Sequence, residues 1–167
     1  MQETVLIPKD RIAVLIGKKG EDRRAIEKLG KVKLWIDSNT NEVTINSSKV
    51  DNIFFAKKVV MLVGRGFSPS SAAKVFNDKY CAELIDMRDY GAKERKQRER
   101  MVGRVIGTKG KTKAIIEKES NTEVIVYGKT VGILGQPEDV DRARRALESI
   151  LEGSKSATAF RILKGTE

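Results

Sequence analysis

The chain of 167 residues has no histidine and a single cysteine, Cys81. Without imidazole the usual general base near neutral pH is missing, and so are the commonest zinc ligands. One thiol forms no intrachain disulfide. Cys81, set in Lys79-Tyr-Cys-Ala-Glu-Leu-Ile-Asp86, reads as a small buried residue. No run approaches the ~20 apolar residues that cross a bilayer, and the N-terminus lacks the basic-then-apolar design of a secretion signal. These absences lead us to expect a soluble, cytoplasmic, non-enzymatic protein with no cofactor and no metal.

Positive charge is what the chain has in excess. Lys and Arg number 33 against 23 Asp and Glu, a net charge of +10 with a sequence pI near 9.7. Such a balance suits an acidic polymer. It is unevenly placed: residues 93–118 hold ten Lys or Arg and three Glu, which is +7 of the total. At this length the chain makes one ordinary domain or two small ones.

Within the basic region an apolar segment, Met101-Val-Gly-Arg-Val-Ile106, runs into Gly107-Thr108-Lys109-Gly110 and resumes as a periodic helix. Two glycines three apart allow a tight turn that another backbone can approach closely. The free N–H groups and dipole of the following helix favour an anion, and Lys109, Lys111 and Lys113 add charge beside the opening. Phosphate is the guest that this chemistry suits. The pattern also occurs 90 residues upstream, as Leu15-Ile16-Gly17-Lys18-Lys19-Gly20. Ile26-Glu27-Lys28 then answers Ile116-Glu117-Lys118, and Leu34 and Ile36 answer Val124 and Val126. This is an internal repeat, and it implies two domains.

Ile-Gly-x-x-Gly between two short helices, followed by a β-hairpin and a long helix, resembles the KH domain. In that family the loop clamps the backbone of about four single-stranded nucleotides. The two-domain layout and the wording Gly-Arg-Val-Ile-Gly-Thr-Lys-Gly-Lys-Thr-Lys resemble, more narrowly, the archaeal ribosome-assembly KH proteins related to the eukaryotic partner of the Nob endonuclease. The resemblance implies an α+β fold of two type I KH domains packed together, each a three-stranded sheet with three helices on one face. It implies single-stranded RNA as ligand, from the 3′ region of small-subunit rRNA, and a ribosome-maturation endonuclease or other assembly protein as partner.

Taken in order, residues 3–7 form a strand stopped by Pro8, and Asp10 caps a helix over 11–16. A second helix runs to Leu29 before Gly30. Val32, Leu34 and Ile36 alternate with Lys33 and Trp35 as a strand. The Asp37–Asn41 turn and a strand over 42–46 follow, then an apolar helix over 50–63. Ser68-Pro69 opens a helix to Asn77. The second domain repeats the order with a strand over 80–87, a basic helix over 93–106, a helix to Glu119, strands over 122–127 and 131–134, and a helix from Pro137. Residues 154–164 form an appended short helix. The expected limits are 1–66 for the first KH domain, 67–79 for a helical connector, 80–153 for the second KH domain and 154–167 for an extension.

The expected RNA contacts are Arg104, Val105, Ile106, Gly107, Thr108, Lys109, Gly110, Lys111 and Lys113 in the second domain, and Gly17, Lys18, Lys19 and Gly20 in the first. Val105, Ile106, Ile115 and Ile116 would floor an apolar groove for bases. Glu21 and Asp22 in the first turn after Gly20 favour the dipole but repel phosphate, so the first loop is the poorer site. Trp35, the only Trp, lies on the open side of its strand, free to stack on a base or to pack on the second domain or a protein. Arg142, Arg144 and Arg145 read as a solvated face. Gly110-Lys111-Thr112 imitates the end of a nucleotide-binding loop, but that motif needs glycine where Val105 stands. No strand-borne acidic cluster for magnesium adjoins either loop. The alternatives to an assembly factor are a loosely specific RNA chaperone or exosome-linked adaptor, and a protein-interaction scaffold that binds no RNA.

Overall fold

The structure, a computed structural model, describes residues 1–165. It divides between Tyr80 and Cys81 into two compact units. In the first, β1 (Gln2–Leu6) leads to α1 (Lys9–Ile16), the first glycine loop, α2 (Glu21–Gly30), the hairpin β2 (Lys33–Asp37) and β3 (Glu42–Asn46), then α3 (Val50–Gly64) and α4 (Pro69–Ala72). β3 lies between β1 and β2, antiparallel to both, with Thr44 opposite Thr4 on one side and Trp35 on the other. Leu34, Val43 and Ile45 alternate inward and are buried with Leu15, Ile26, Val59, Val60 and Val63 of the helices. Asp37 Oδ1 accepts the N–H groups of Asn39 and Thr40, at 2.9 and 3.3 Å, which shapes the hairpin turn.

The second unit repeats this order: β4 (Cys81–Asp86), α5 (Arg95–Ile106), the second glycine loop, α6 (Lys111–Ser120), β5 (Glu123–Tyr127), β6 (Thr130–Gly135), α7 (Pro137–Leu151) and α8 (Ser156–Leu163). Its sheet order is β4-β6-β5. Ile85, Val124, Val131 and Ile133 meet Val105, Ile116, Val140, Ala143, Leu147 and Ile150 in one core.

Three local readings change. α1 begins at Lys9 behind Pro8, not behind an Asp10 cap. The Pro8 carbonyl accepts the Arg11 N–H at 2.9 Å, and Asp10 sits inside the first turn, where its charge still favours the dipole. The Ser68 cap does form, its hydroxyl accepting the Ser71 N–H at 3.2 Å, but the helix tightens to a 3₁₀ turn over Ala73–Phe76. The segment belongs to the first unit and packs on α2 and α3. A Cβ on Gly30 would lie 2.8 Å from the Phe76 ring, so that glycine is what lets the segment close down. α8 packs on α6 and α7 in the same way. The piece after the last KH-like helix therefore takes the same seat in both repeats.

Candidate nucleic-acid interface

The two glycine loops share one backbone. Gly17 and Gly107 have φ 75° and 76°, Lys19 and Lys109 φ 55°, and Gly20 and Gly110 φ 75° and 74°. In each loop the last glycine N–H donates to the first glycine carbonyl at 3.2 Å. Lys19 and Lys109 hold left-handed conformations that cost a side-chain-bearing residue about 1–2 kcal/mol. The closing bond and the helix that follows keep them there. A Cβ on Gly17 would collide with Asp22 Oδ2, and one on Gly107 with Thr112 Oγ1, so the first glycine is required by space as well as by φ.

Neither α2 nor α6 has a side-chain N-cap, so both open on uncapped amides beside the loop. The charge around those openings differs. Residues 107–114 carry three lysines and no carboxylate, +3, whereas 17–24 carry four cations and two carboxylates, +2. The carboxylates are badly placed for an anion: Glu21 is exposed in the first turn, and Asp22 lies against Gly17 where the second loop has the neutral Thr112.

Thr108, Lys109 and Lys111 are exposed together around the second loop, and Lys18 and Lys19 around the first. Ile106 and Ile115 are half-buried near the loop, and Val126 on β5 is half-buried over the core. Val105 and Ile116, expected to floor the groove, are 0 % exposed and face the core instead. They anchor α5 and α6 and offer no surface to a ligand. In the first unit Ala25 stands where Ile115 does, so less apolar surface adjoins that loop. Arg104 is exposed and donates to the Ser154 carbonyl at 3.2 Å. Lys113 is not a free charge, because its Nζ lies 3.0 Å from Glu117 Oε1.

Glu117 was visible in the sequence only as part of the recurring Ile-Glu-Lys. In the structure its other oxygen accepts the Val124 N–H at 3.0 Å, and Glu27 accepts the Leu34 N–H at 2.9 Å in the first unit. Each repeat thus ties its second helix to the neighbouring strand through a carboxylate. Trp35 is 58 % exposed beside Thr44, in a shallow cleft with Asp37 and Glu42, whose charges disfavour phosphate. Arg142 and Arg144 are engaged structurally. Arg142 donates to the carbonyls of Ser120 and Leu163 at the ends of α6 and α8, and Arg144 bridges Glu83 of β4 at 3.0 Å. Among the described residues no group of three His, Cys, Asp or Glu could hold a metal ion, and no helix is long and apolar enough to cross a membrane.

Comparison with known families agrees with this geometry. A model described as the KH domain matches residues 2–62, and one described as the eukaryotic type KH-domain (KH-domain type I) matches residues 81–167. The KH domain-containing protein MJ0443 of Methanocaldococcus jannaschii is 40% identical over 165 residues, which is 97% of this chain and 72% of that protein. The pre-rRNA-processing protein PNO1 of Yarrowia lipolytica is 29% identical over 122 residues, 71% of this chain and 47% of that protein. Among solved structures, the a/eIF2alpha-aDim2p-rRNA complex from Pyrococcus horikoshii OT3 contains a chain 42% identical, with a TM-score of 0.88, matched over 99% of this chain and 93% of that one.

Proposed function

The chain belongs to the KH-domain family, and from that membership we propose that it is an RNA-binding assembly factor of the small ribosomal subunit. Its ligand is single-stranded RNA from the 3′ region of small-subunit rRNA, and it acts in the cytoplasm. It works by holding RNA rather than by catalysis. The observation that carries this reading is the pair of glycine loops with one backbone geometry, each opening on an uncapped helix. The names of its relatives support the ribosomal part, one being a pre-rRNA-processing protein and another occurring in a complex with rRNA.

In this mechanism Gly107–Gly110 and the first amides of α6 receive phosphate oxygens, with Lys109 and Lys111 adding charge. Ile106, Ile115 and Val126 give the bases an apolar rest. Gly17–Gly20, with Lys18 and Lys19, holds a second stretch more weakly. Protein partners are those of the assembly pathway, including a maturation endonuclease, and a translation factor by likeness to the complex that contains a/eIF2alpha. Titrating a panel of RNA oligonucleotides at fixed salt tests the proposal. A marked preference for the 3′ end of small-subunit rRNA is expected. Similar affinities for all sequences would replace it with a chaperone, and no binding would replace it with a protein scaffold.

A further inference from the structure

α5 has twelve residues where α1 has eight. Its additional turn is fixed by a capping box, in which the Glu94 N–H donates to Gln97 Oε1 at 3.2 Å. The helix buries Val105 and half-buries Arg98, Met101 and Val102. The other face carries Lys96, Arg100 and Arg104, four residues apart and all exposed. At 3.6 residues per turn these three form a ladder ~12 Å long that ends at the glycine loop.

Among the described residues no carboxylate is paired with that ladder. The only carboxylate inside α5, Glu99, lies one turn from Lys96 but is paired with Arg95 at 3.0 Å. Among the described residues Lys96 and Arg100 have no hydrogen-bond or ion-pair partner, and Arg104 meets only the Ser154 carbonyl. Like charges at i, i+4 destabilise a helix, and a solvated face ordinarily interleaves opposite signs, as α7 does with Asp141, Arg144 and Glu148. In the first repeat the positions 90 residues earlier are Leu6, Asp10 and Val14, so the ladder is peculiar to the second.

We propose that the Lys96–Arg100–Arg104 face of α5 is a further RNA-binding surface, a phosphate track for the single-stranded nucleotides that flank those held at Gly107–Gly110. The proposal rests on the reading of that loop as a phosphate clamp. It extends the footprint of the second unit beyond the clamp along one helix, without base recognition.

Two RNAs and three variants of the full chain test it. One RNA is a tetranucleotide of the preferred sequence, and the other is the same sequence extended by about six nucleotides at either end. K96Q/R100Q should bind the extended RNA at least tenfold more weakly, with the salt slope reduced by about 1.4 for two lost single-strand contacts. Its affinity for the tetranucleotide should not change. K74Q/K79Q removes the same charge from exposed positions elsewhere and should affect neither RNA. Unchanged binding of the extended RNA by K96Q/R100Q overturns the track, as does an equal loss on both RNAs or an equal effect from K74Q/K79Q. T108D/K109D reports on the clamp separately. If it leaves tetranucleotide binding intact, the clamp reading fails, whatever α5 does.

Discussion

Glu117 holds Lys113 and an adjacent strand at once. Its Oε1 lies 3.0 Å from Lys113 Nζ while its Oε2 accepts the Val124 N–H at 3.0 Å. The two side chains are 28% and 29% exposed, so water screens the pair only in part. A lysine expected from the sequence to meet phosphate is therefore restrained by its own helix.

Glu117→Gln should release that restraint. A single amide oxygen can still accept the Val124 N–H, and the Lys113 ammonium loses its counter-ion and is free to meet phosphate. RNA affinity should rise several-fold, with the salt slope steeper by about 0.7 for one added contact. Stability should fall by only about 1 kcal/mol. Glu117→Ala, which strands the Val124 N–H, should cost about 1–3 kcal/mol. Urea unfolding and RNA titration at several salt concentrations measure both effects. A drop in affinity for Glu117→Gln would mean that Lys113 works only while held.

Gly103 and Gly107 lie four residues apart and should respond oppositely to alanine. At Gly103 an added Cβ would meet nothing within 4 Å, and the residue is exposed in the interior of α5. Glycine there sacrifices about 1 kcal/mol of helix stability with no packing reason. Gly103→Ala should therefore raise the melting temperature yet weaken RNA binding, because the bare backbone beside the loop admits close approach. Gly107→Ala meets Thr112 and a φ of 76°, and should destabilise the second unit. Thermal unfolding beside RNA titration separates the two. Unaltered affinity in Gly103→Ala would place the RNA elsewhere.

Asp86 supplies a pH dependence. Hydrogen bonds from the Arg88 side chain, then its N–H, hold the Asp86 carboxyl at about 2 against an ordinary 3.8. A pKa depressed by folding gives stability that is present above the unfolded value and lost as pH falls through the folded one. Between about 3.8 and 2, wild type should lose a contribution that Asp86→Asn never has. Urea midpoints measured across that range should converge for the two proteins. Parallel curves would show that the pair contributes nothing to folding.

Much of this was legible because the chain repeats itself. The glycine loops, their helices and the strands answering each other 90 residues apart revealed the fold class and pointed to the candidate site, since tight turns and hydrophobic periodicity are local properties. What stayed hidden depended on residues far apart in sequence. Arg142 reads locally as one more solvated cation, yet it gathers carbonyls from α6 and α8. Phe76 reads as the end of a connector, yet it fills the space left by Gly30. Val105 and Ile116 look like their aliphatic neighbours Ile106 and Ile115, and only the phase of each helix against its core separates floor from anchor. Asp22 was legible as a charge in a first turn, but not as a carboxylate lying on Gly17.

That carboxylate decides which loop should bind more strongly. Thr108→Asp with Lys109→Asp changes the second loop by three charge units, whereas Lys18→Asp with Lys19→Asp changes the first by four. If net charge alone governed binding, the first-loop variant would lose more affinity. The local geometry demands the reverse, because Asp22 already occupies the side of the first loop that Thr112 leaves neutral in the second. The second-loop variant should lose an order of magnitude or more in affinity and the larger part of the salt slope. Exchanging the two residues isolates the cause. Asp22→Thr should strengthen binding at the first loop, and Thr112→Asp should weaken it at the second. The first unit already folds with aspartate at that seat, so a loss in Thr112→Asp with an unchanged unfolding midpoint would be electrostatic. Equal losses from the two loop variants, or a larger loss from the first, would overturn the assignment of the second unit as the main RNA reader.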